Sequence, residues 1–288
     1  MKRFYLKDVP PEMTITDYIK ANSNYLELAQ KVKPKLVPRG TKSLIFDNID
    51  IDHEGIYASV LEAKDLYGEY GWKTKISESK IYTGFSLLYN PDHLDMVNKH
   101  QSSLGTGTMM DFEKYNDKSQ RKNSYVDTLS FRFRTEASKH GKLGKFLDEI
   151  KLSLTRGRLA TINADKFLGP NQLNAYGWHY DEPVFENLRL NVPLRTSEKF
   201  LFQIEGEEPV NLKTGHSYSW DTNIPHRIFA TEISRETRTH IVAGMSPWFR
   251  YLPEEDAWEQ NEYYGELHPF DMMASGLVHD GLKLIDYR

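Results

Sequence analysis

RLATINA (158–164), LRLNVPLR (188–195), FLFQI (200–204), PVNL (209–212), HSYSW (216–220), HRIFATEI (226–233) and THIVAGM (239–245) follow one another through the second half of the chain. Each run is short, carries β-branched or aromatic residues, and ends at a polar or glycine-bearing turn; such runs recur at intervals of roughly 8–15 residues. That spacing points to an antiparallel sandwich or small barrel, because alternating strand and helix units would need longer amphipathic segments between the runs. The expected fold class is mainly β with flanking helices.

Outward from this core the texture is mixed. Thr16 is placed to cap a helix through DYIKANSNYLELAQKV (17–32), and a second helix is expected over 54–70, where Ile56, Val60, Leu61 and Leu66 recur at helical spacing. A third helix is expected over LGKFLDEIKLSL (143–154), with Leu143, Phe146, Leu147, Ile150 and Leu154 on one stripe. FRFR (131–134) alternates apolar and charged residues and is expected to be a short strand. Residues 101–127 are glycine-rich and then polar, as a solvated loop or a lid over a site would be. The tail from Pro253, PEEDAWEQNEYYGELHPFD, is aromatic and acidic and is expected to pack over the barrel exterior. The expected organisation is one domain over 1–288. An N-terminal helical and mixed extension (1–156) would pack on a core at 157–250, followed by a C-terminal extension (251–288).

Composition sets the class. A chain of 288 residues with 39% hydrophobic and 27% charged residues can bury a substantial core, so wholesale disorder is excluded. Lysine and arginine (37) against aspartate and glutamate (41) give a formal net charge of −4, which disfavours a phosphate-tracking nucleic-acid binder. The absence of cysteine removes disulfides, thiolate metal sites and cysteine nucleophiles together. The opening residues, MKRFYLKDVPPEMT, hold no apolar run of secretory type, and no stretch of eighteen apolar residues occurs, so a cytoplasmic protein without membrane partners is expected.

Chemistry concentrates in Gly177-Trp178-His179-Tyr180-Asp181, Ile224-Pro225-His226 and Arg238-Thr239-His240. Side chains at i and i+2 of a strand share a face, so His179 and Asp181 point one way and Tyr180 the other. His226 lies 47 residues after His179, enough chain for several strands and a return. Two imidazoles and one carboxylate on a triangular face leave the opposite coordination positions open, which is the donor set of non-heme Fe(II) oxygenases. A lone His-x-Asp is more often incidental than a metal site; the combination with His226 and Arg238 is what makes the pattern specific. Trp178 and Trp220 are expected in the core.

The segment at roughly 157–250 resembles the 2-oxoglutarate/Fe(II) oxygenase superfamily, and within it the aspartyl/asparaginyl β-hydroxylase-like family. WHYD (178–181), LRLNVPL (188–194), GHSYSWDTNIPH (215–226) and RTHIV (238–242) carry the likeness. The resemblance implies a double-stranded β-helix (jelly-roll, cupin-like) core, iron held by His179, Asp181 and His226, and Arg238 anchoring the distal carboxylate of the cosubstrate 2-oxoglutarate. A planar guanidinium suits that role, since a buried carboxylate left unpaired is costly. The namesake hydroxylases lack the carboxylate ligand that this chain has in Asp181, and its presence argues against halogenation, where halide takes the vacated position. Arg235 competes for the role of Arg238 but falls in the polar turn TEISRET (231–237). Arg189 and Asn191 share a strand face and are candidate contacts to substrate or cosubstrate, or else an ordinary solvent-facing pair. His240 shares a face with Arg238 and is a candidate supporting residue.

The function so implied is an Fe(II)- and 2-oxoglutarate-dependent dioxygenase that uses O2 to hydroxylate an unactivated C–H bond of a small amino-acid-like or peptidyl substrate, releasing succinate and CO2. A nucleic-acid oxidative demethylase of the same superfamily ordinarily shows two arginines six apart after the distal histidine, whereas here Arg235 and Arg238 are three apart. A non-oxidative cupin-like metal-binding barrel would more commonly show His-x-His with a later glutamate. Oligomeric state is not legible.

Overall fold

Successive strands of the second half alternate between two sheets, and that alternation defines the core. The computed structural model describes residues 1–73, 78–94, 97–104, 127–166 and 176–287; the expected lid lies largely outside them. In chain order the strands begin with β1 (Arg3–Tyr5), β2 (Ser43–Asp47), β3 (Tyr70–Lys73), β4 (Glu78–Ser86), β5 (Leu88–Tyr89), β6 (Phe133–Arg134) and β7 (Ser153–Leu154). The core strands are β8 (Arg158–Asn163), β9 (Tyr176–His179), β10 (Leu188–Arg195), β11 (Phe200–Ile204), β12 (His216–Trp220), β13 (His226–Ala230) and β14 (Thr237–Ser246). β15 (Phe249–Leu252), β16 (Ala257–Gln260) and β17 (Lys283–Tyr287) complete the set. The helices are α1 (Ile15–Ala21), α2 (Tyr25–Lys31), α3 (His53–Tyr67), α4 (Gly141–Asp148) and α5 (Pro269–Ala274).

The large sheet runs β17-β2-β12-β10-β14-β8-β4-β3, and the small one β11-β13-β9, with Val210 bridging to Phe202 beside β11. Thus β8, β10, β12 and β14 lie in one sheet while β9, β11 and β13 lie in the other, the interleaving of a double-stranded β-helix, or jelly roll. All pairings are antiparallel, as the strand spacing predicts. Strands from the first half, β2, β3 and β4, extend the large sheet at both of its flanks.

Both faces of the large sheet are covered, which is why β10 is buried along almost its whole length. Leu188, Leu190, Val192, Ile241, Ala243 and Met245 face outward and join a cluster with Phe46, Ile56, Val60, Leu143, Phe146 and Phe270 from neighbouring strands and helices. Ala160, Ile162, Val242, Tyr218 and Trp220 face inward and meet Phe200, Phe202, Ile204 and Ile228 of the small sheet. Truncating an outward leucine here would cost about 2–5 kcal/mol.

The helices follow local chemistry, and they differ from the expectation where side chains compete for the backbone. Asp52 caps α3 by accepting from the Gly55 N–H at 2.8 Å, and Gly68 closes it at φ 90°. One continuous helix over 17–32 does not form. Thr14, not Thr16, is the cap of α1, and the helix stops at Asn22-Ser23, whose side chains donate to the Tyr18 and Ile19 carbonyls. Thr16 instead donates from Oγ1 to the buried Asp127 carboxylate, which also accepts from the Ile15 and Thr16 N–H groups. α4 is shorter than expected, because Ser153 and Leu154 leave it to pair with β14 as β7. Only Phe133 and Arg134 of the FRFR run are strand. In the tail, β16 pairs β15 and β1 in a separate sheet, with Trp258 fully enclosed.

Candidate metal centre

His179 ends β9, His226 opens β13, and the two are paired residues across the small sheet at a register shift. Such an irregularity re-aims side chains locally. Their rings lie 4.4 Å apart between centroids. Asp181 sits two residues past His179, where its N–H donates to the Thr222 carbonyl at 2.9 Å and fixes the turn. Its Oδ2 is 3.5 Å from Nε2 of His226 and 3.8 Å from Nε2 of His179. One ligand atom from each residue lies within 4.8 Å of the others, and among the described residues no other group of three His, Asp or Glu side chains converges so.

The tautomers follow from the backbone. Nδ1–H of His179 donates to the Gly177 carbonyl at 2.7 Å, and Nδ1–H of His226 donates to the Ile224 carbonyl at 2.9 Å. Each Nε2 is thereby left as a lone pair directed at the shared point, as a ligating imidazole requires. Burial pulls the His179 imidazole down to about 4 despite the raising influence of Asp181, so it stays neutral near neutral pH. The donor set therefore fits a divalent first-row ion with an open side, such as Fe(II).

Arg189 organises the acidic side of the site. Its Nη1 donates to Asp181 Oδ2 and its Nη2 to Glu182 Oε2, while Arg156 Nη1 donates to Glu182 Oε1 at 2.7 Å. Burial alone would raise the Asp181 carboxyl, but Arg189 and the two imidazoles hold it well below the usual carboxylate range. The solvent-facing alternative for Arg189 and Asn191 is thus overturned: both are buried and line the cavity, since the apolar residues between them turn outward under the helices. Arg189 is engaged with protein carboxylates and is not a free clamp for a substrate.

Arg238 is 4% exposed and lines the same cavity, whereas Arg235 is exposed. Nη2 of Arg238 donates to Nδ1 of His240 at 2.8 Å. Burial lowers Arg238 to about 10, and burial together with Arg238 pushes His240 well below its ordinary value. His240 is therefore a neutral acceptor. Trp220 and Phe202 stand 5.6 and 5.9 Å from the His226 ring and wall off one side. Trp220 is core as expected; Trp178 is not, being 48% exposed with the Arg227 guanidinium 4.6 Å over its ring.

Three cavity or near-cavity residues escaped the sequence reading: Tyr82, Arg158 and Glu182. Arg158 opens RLATINA, and its alternation with Ala160 and Ile162 was the available signal, because those positions share the inward face. Glu182 is the acid directly after WHYD.

No protein-family model matches the chain, and no curated protein matches it. Among solved structures it is similar to the non-heme alpha ketoglutarate dependent epimerase SnoN from nogalamycin biosynthesis, at 11% identity over 78% of this chain and 81% of that one, with a TM-score of 0.37. A prolyl hydroxylase from Trichoplax adhaerens, in complex with a hypoxia inducible factor peptide fragment, shares 10% identity over 80% of this chain and 92% of that one, TM-score 0.37. An oxidoreductase of the 2OG-Fe(II) oxygenase family from Burkholderia pseudomallei shares 10% over 77% and 90%, TM-score 0.36. Likenesses this distant carry no weight on activity.

Proposed function

We propose that the chain is an Fe(II)- and 2-oxoglutarate-dependent dioxygenase that hydroxylates an unactivated C–H bond of a small amino-acid-like or peptidyl substrate. The observation that carries this reading is the convergence of the His179 and His226 Nε2 lone pairs with the Asp181 carboxylate in a cavity that also holds the enclosed guanidinium of Arg238. The finer placement near the aspartyl/asparaginyl β-hydroxylase-like enzymes rests on WHYD and RTHIV, with Asp181 as the departure from their namesakes.

In this reading His179, Asp181 and His226 hold the iron, which when bound supplies the dioxygen chemistry and the oxidative decarboxylation of 2-oxoglutarate to succinate and CO2. The chain's residues do the rest. The Gly177 and Ile224 carbonyls fix the two rings in the ligating tautomer. Arg189 keeps Asp181 ionised. Arg238 receives the far carboxylate of 2-oxoglutarate, oriented by His240. Trp220 and Phe202 exclude water beside His226.

Anaerobic addition of Fe(II) and 2-oxoglutarate should give a weak visible charge-transfer band that His179→Ala abolishes. A well-metallated protein that binds 2-oxoglutarate without that band would overturn the cosubstrate role and leave a metal-binding barrel.

A further inference from the structure

Three arginines, Arg158, Arg189 and Arg238, line the cavity with Asp181, and Glu182 and Arg156 stand behind Arg189. Asp181 and Glu182 are both paired with Arg189, and Glu182 also with Arg156. Neither Arg158 nor Arg238 forms a salt bridge with a carboxylate among the described residues, although Arg158 lies near enough to Asp181 for the two charges to favour one another. Arg238 at least meets His240. Arg158 meets less: its Nε and Nη1 are buried without a hydrogen-bond partner, and its guanidinium stands 5.4 Å over the buried Trp72 ring. Burial, with Arg189 and Arg156 nearby, weakens its hold on its proton, yet a guanidinium stays charged. A cation so placed is costly until an anion arrives.

The register puts Arg158 apart from the Arg238 position. Arg158 pairs with Val242, and Val242 pairs on its other side with Asn191, so Arg158, Val242 and Asn191 form one rung on the inner face. Arg238 pairs with Ile162, four residues along both strands, about 13 Å away at the backbone. Both side chains line the cavity that holds the two histidines and Asp181.

We propose that Arg158 is a second carboxylate-binding residue of this site, separate from Arg238. The proposal deepens the oxygenase reading and rests on it for the identity of the ligand: either the other carboxylate of 2-oxoglutarate or a carboxylate of the primary substrate, the two sources sharing one chemistry. The substrate class in the second case is a free carboxylic acid, with Asn191 on the same rung, across Val242 from Arg158, as the further polar group of that level of the cavity.

The test uses the full-length protein loaded with Zn(II), a redox-inert stand-in for the ion, so that 2-oxoglutarate can bind without dioxygen chemistry. 2-Oxoglutarate is titrated by calorimetry into wild type, Arg158→Met and Arg158→Lys, and acetate is then titrated into each protein saturated with 2-oxoglutarate, followed by NMR. A fall in 2-oxoglutarate affinity of about 10-fold or more in Arg158→Met assigns Arg158 to the cosubstrate. Unchanged 2-oxoglutarate affinity with loss of an acetate site that wild type shows assigns it to the primary substrate. Either supports the proposal, and Arg158→Lys, which keeps the charge, should recover part of the binding and stands in should the methionine variant fail to fold. Affinities for both anions within twofold of wild type in both variants overturn it. Failure of the oxygenase reading shows separately, as a missing charge-transfer band in wild type.

Discussion

Arg238 donates from Nη2 to Nδ1 of His240, 2.8 Å away and two residues along the same inward face of β14. The imidazole is fully enclosed and neutral, so it fixes the guanidinium without adding charge. His240→Ala should weaken 2-oxoglutarate binding by about 3–10-fold, through loss of position and not of the cation, and His240→Gln, which offers an acceptor, should restore most of it. Equal affinity in the alanine variant, read by calorimetry, would remove His240 from the site.

The buried Arg189 fork holds two half-buried carboxylates at once. Arg189→Met leaves Asp181 and Glu182 short of counter-charge, and the expected cost is about 3–5 kcal/mol of unfolding free energy in urea. A loss under 1 kcal/mol would show that water or the imidazoles compensate.

Metal binding should stabilise the fold through linkage. At a hundredfold excess over its dissociation constant, Mn(II) should add about 2.7 kcal/mol to wild type, visible as a raised thermal midpoint, and should do nothing for Asp181→Ala or His226→Ala. An equal shift in those variants would place the ion elsewhere.

His268 caps α5 by accepting from the Phe270 N–H at 3.1 Å, between the Phe185 and Phe270 rings. Burial pulls it down to about 4, against the raising influence of Asp271. The folded value lies below the unfolded one near 6.5, so the unfolded chain takes the proton first. The stabilisation is complete above about pH 6.5 and is lost as pH falls through about 4. His268→Asn, which keeps a capping oxygen, should lessen the loss of stability between pH 7 and pH 4.5 by about 2 kcal/mol. Identical pH profiles in denaturant titrations would contradict the assignment.

Gly84 sits at φ 157° where β4 pairs with Ala160 of β8, and a Cβ there would come within 1.9 Å of the Leu159 carbonyl oxygen. Neither strand can yield without losing its ladder. Gly84→Ala should cost about 3 kcal/mol or more, and a smaller loss would mean that β4 shifts freely against β8.

Much of the core was legible because turn residues punctuate strands whose side chains alternate. Six of the seven runs from RLATINA to THIVAGM are interleaved strands of the two sheets, PVNL contributing only a bridge at Val210, and the remaining interleaved strand, β9, lies outside the runs. The His-x-Asp pair and the distal histidine are legible as residue types at a spacing, but β9 ends at His179, so a turn held by Thr222, and not a shared strand face, brings Asp181 to the two imidazoles. The environment of LRLNVPLR was not legible. Polar residues alternating with apolar ones usually mark a solvated face, but here the apolar set is capped by helices and Arg189 and Asn191 look into the barrel. Which carboxylates Arg189 would meet depends on a turn at 181–182 pinned by Thr222, a contact between segments some forty residues apart. The break at Asn22-Ser23 is locally encoded in two side chains that bond the preceding carbonyls, while the apolar spacing around them points to a continuous helix.

The division of β10 and β14 into an outer hydrocarbon face and an inner polar face has a consequence for how such a protein can diversify. One alternate set of positions packs the apolar cluster and the other lines the cavity. On the proposed reading, replacing Asn191 or Arg158 would alter what the barrel admits from positions that do not touch the helical packing.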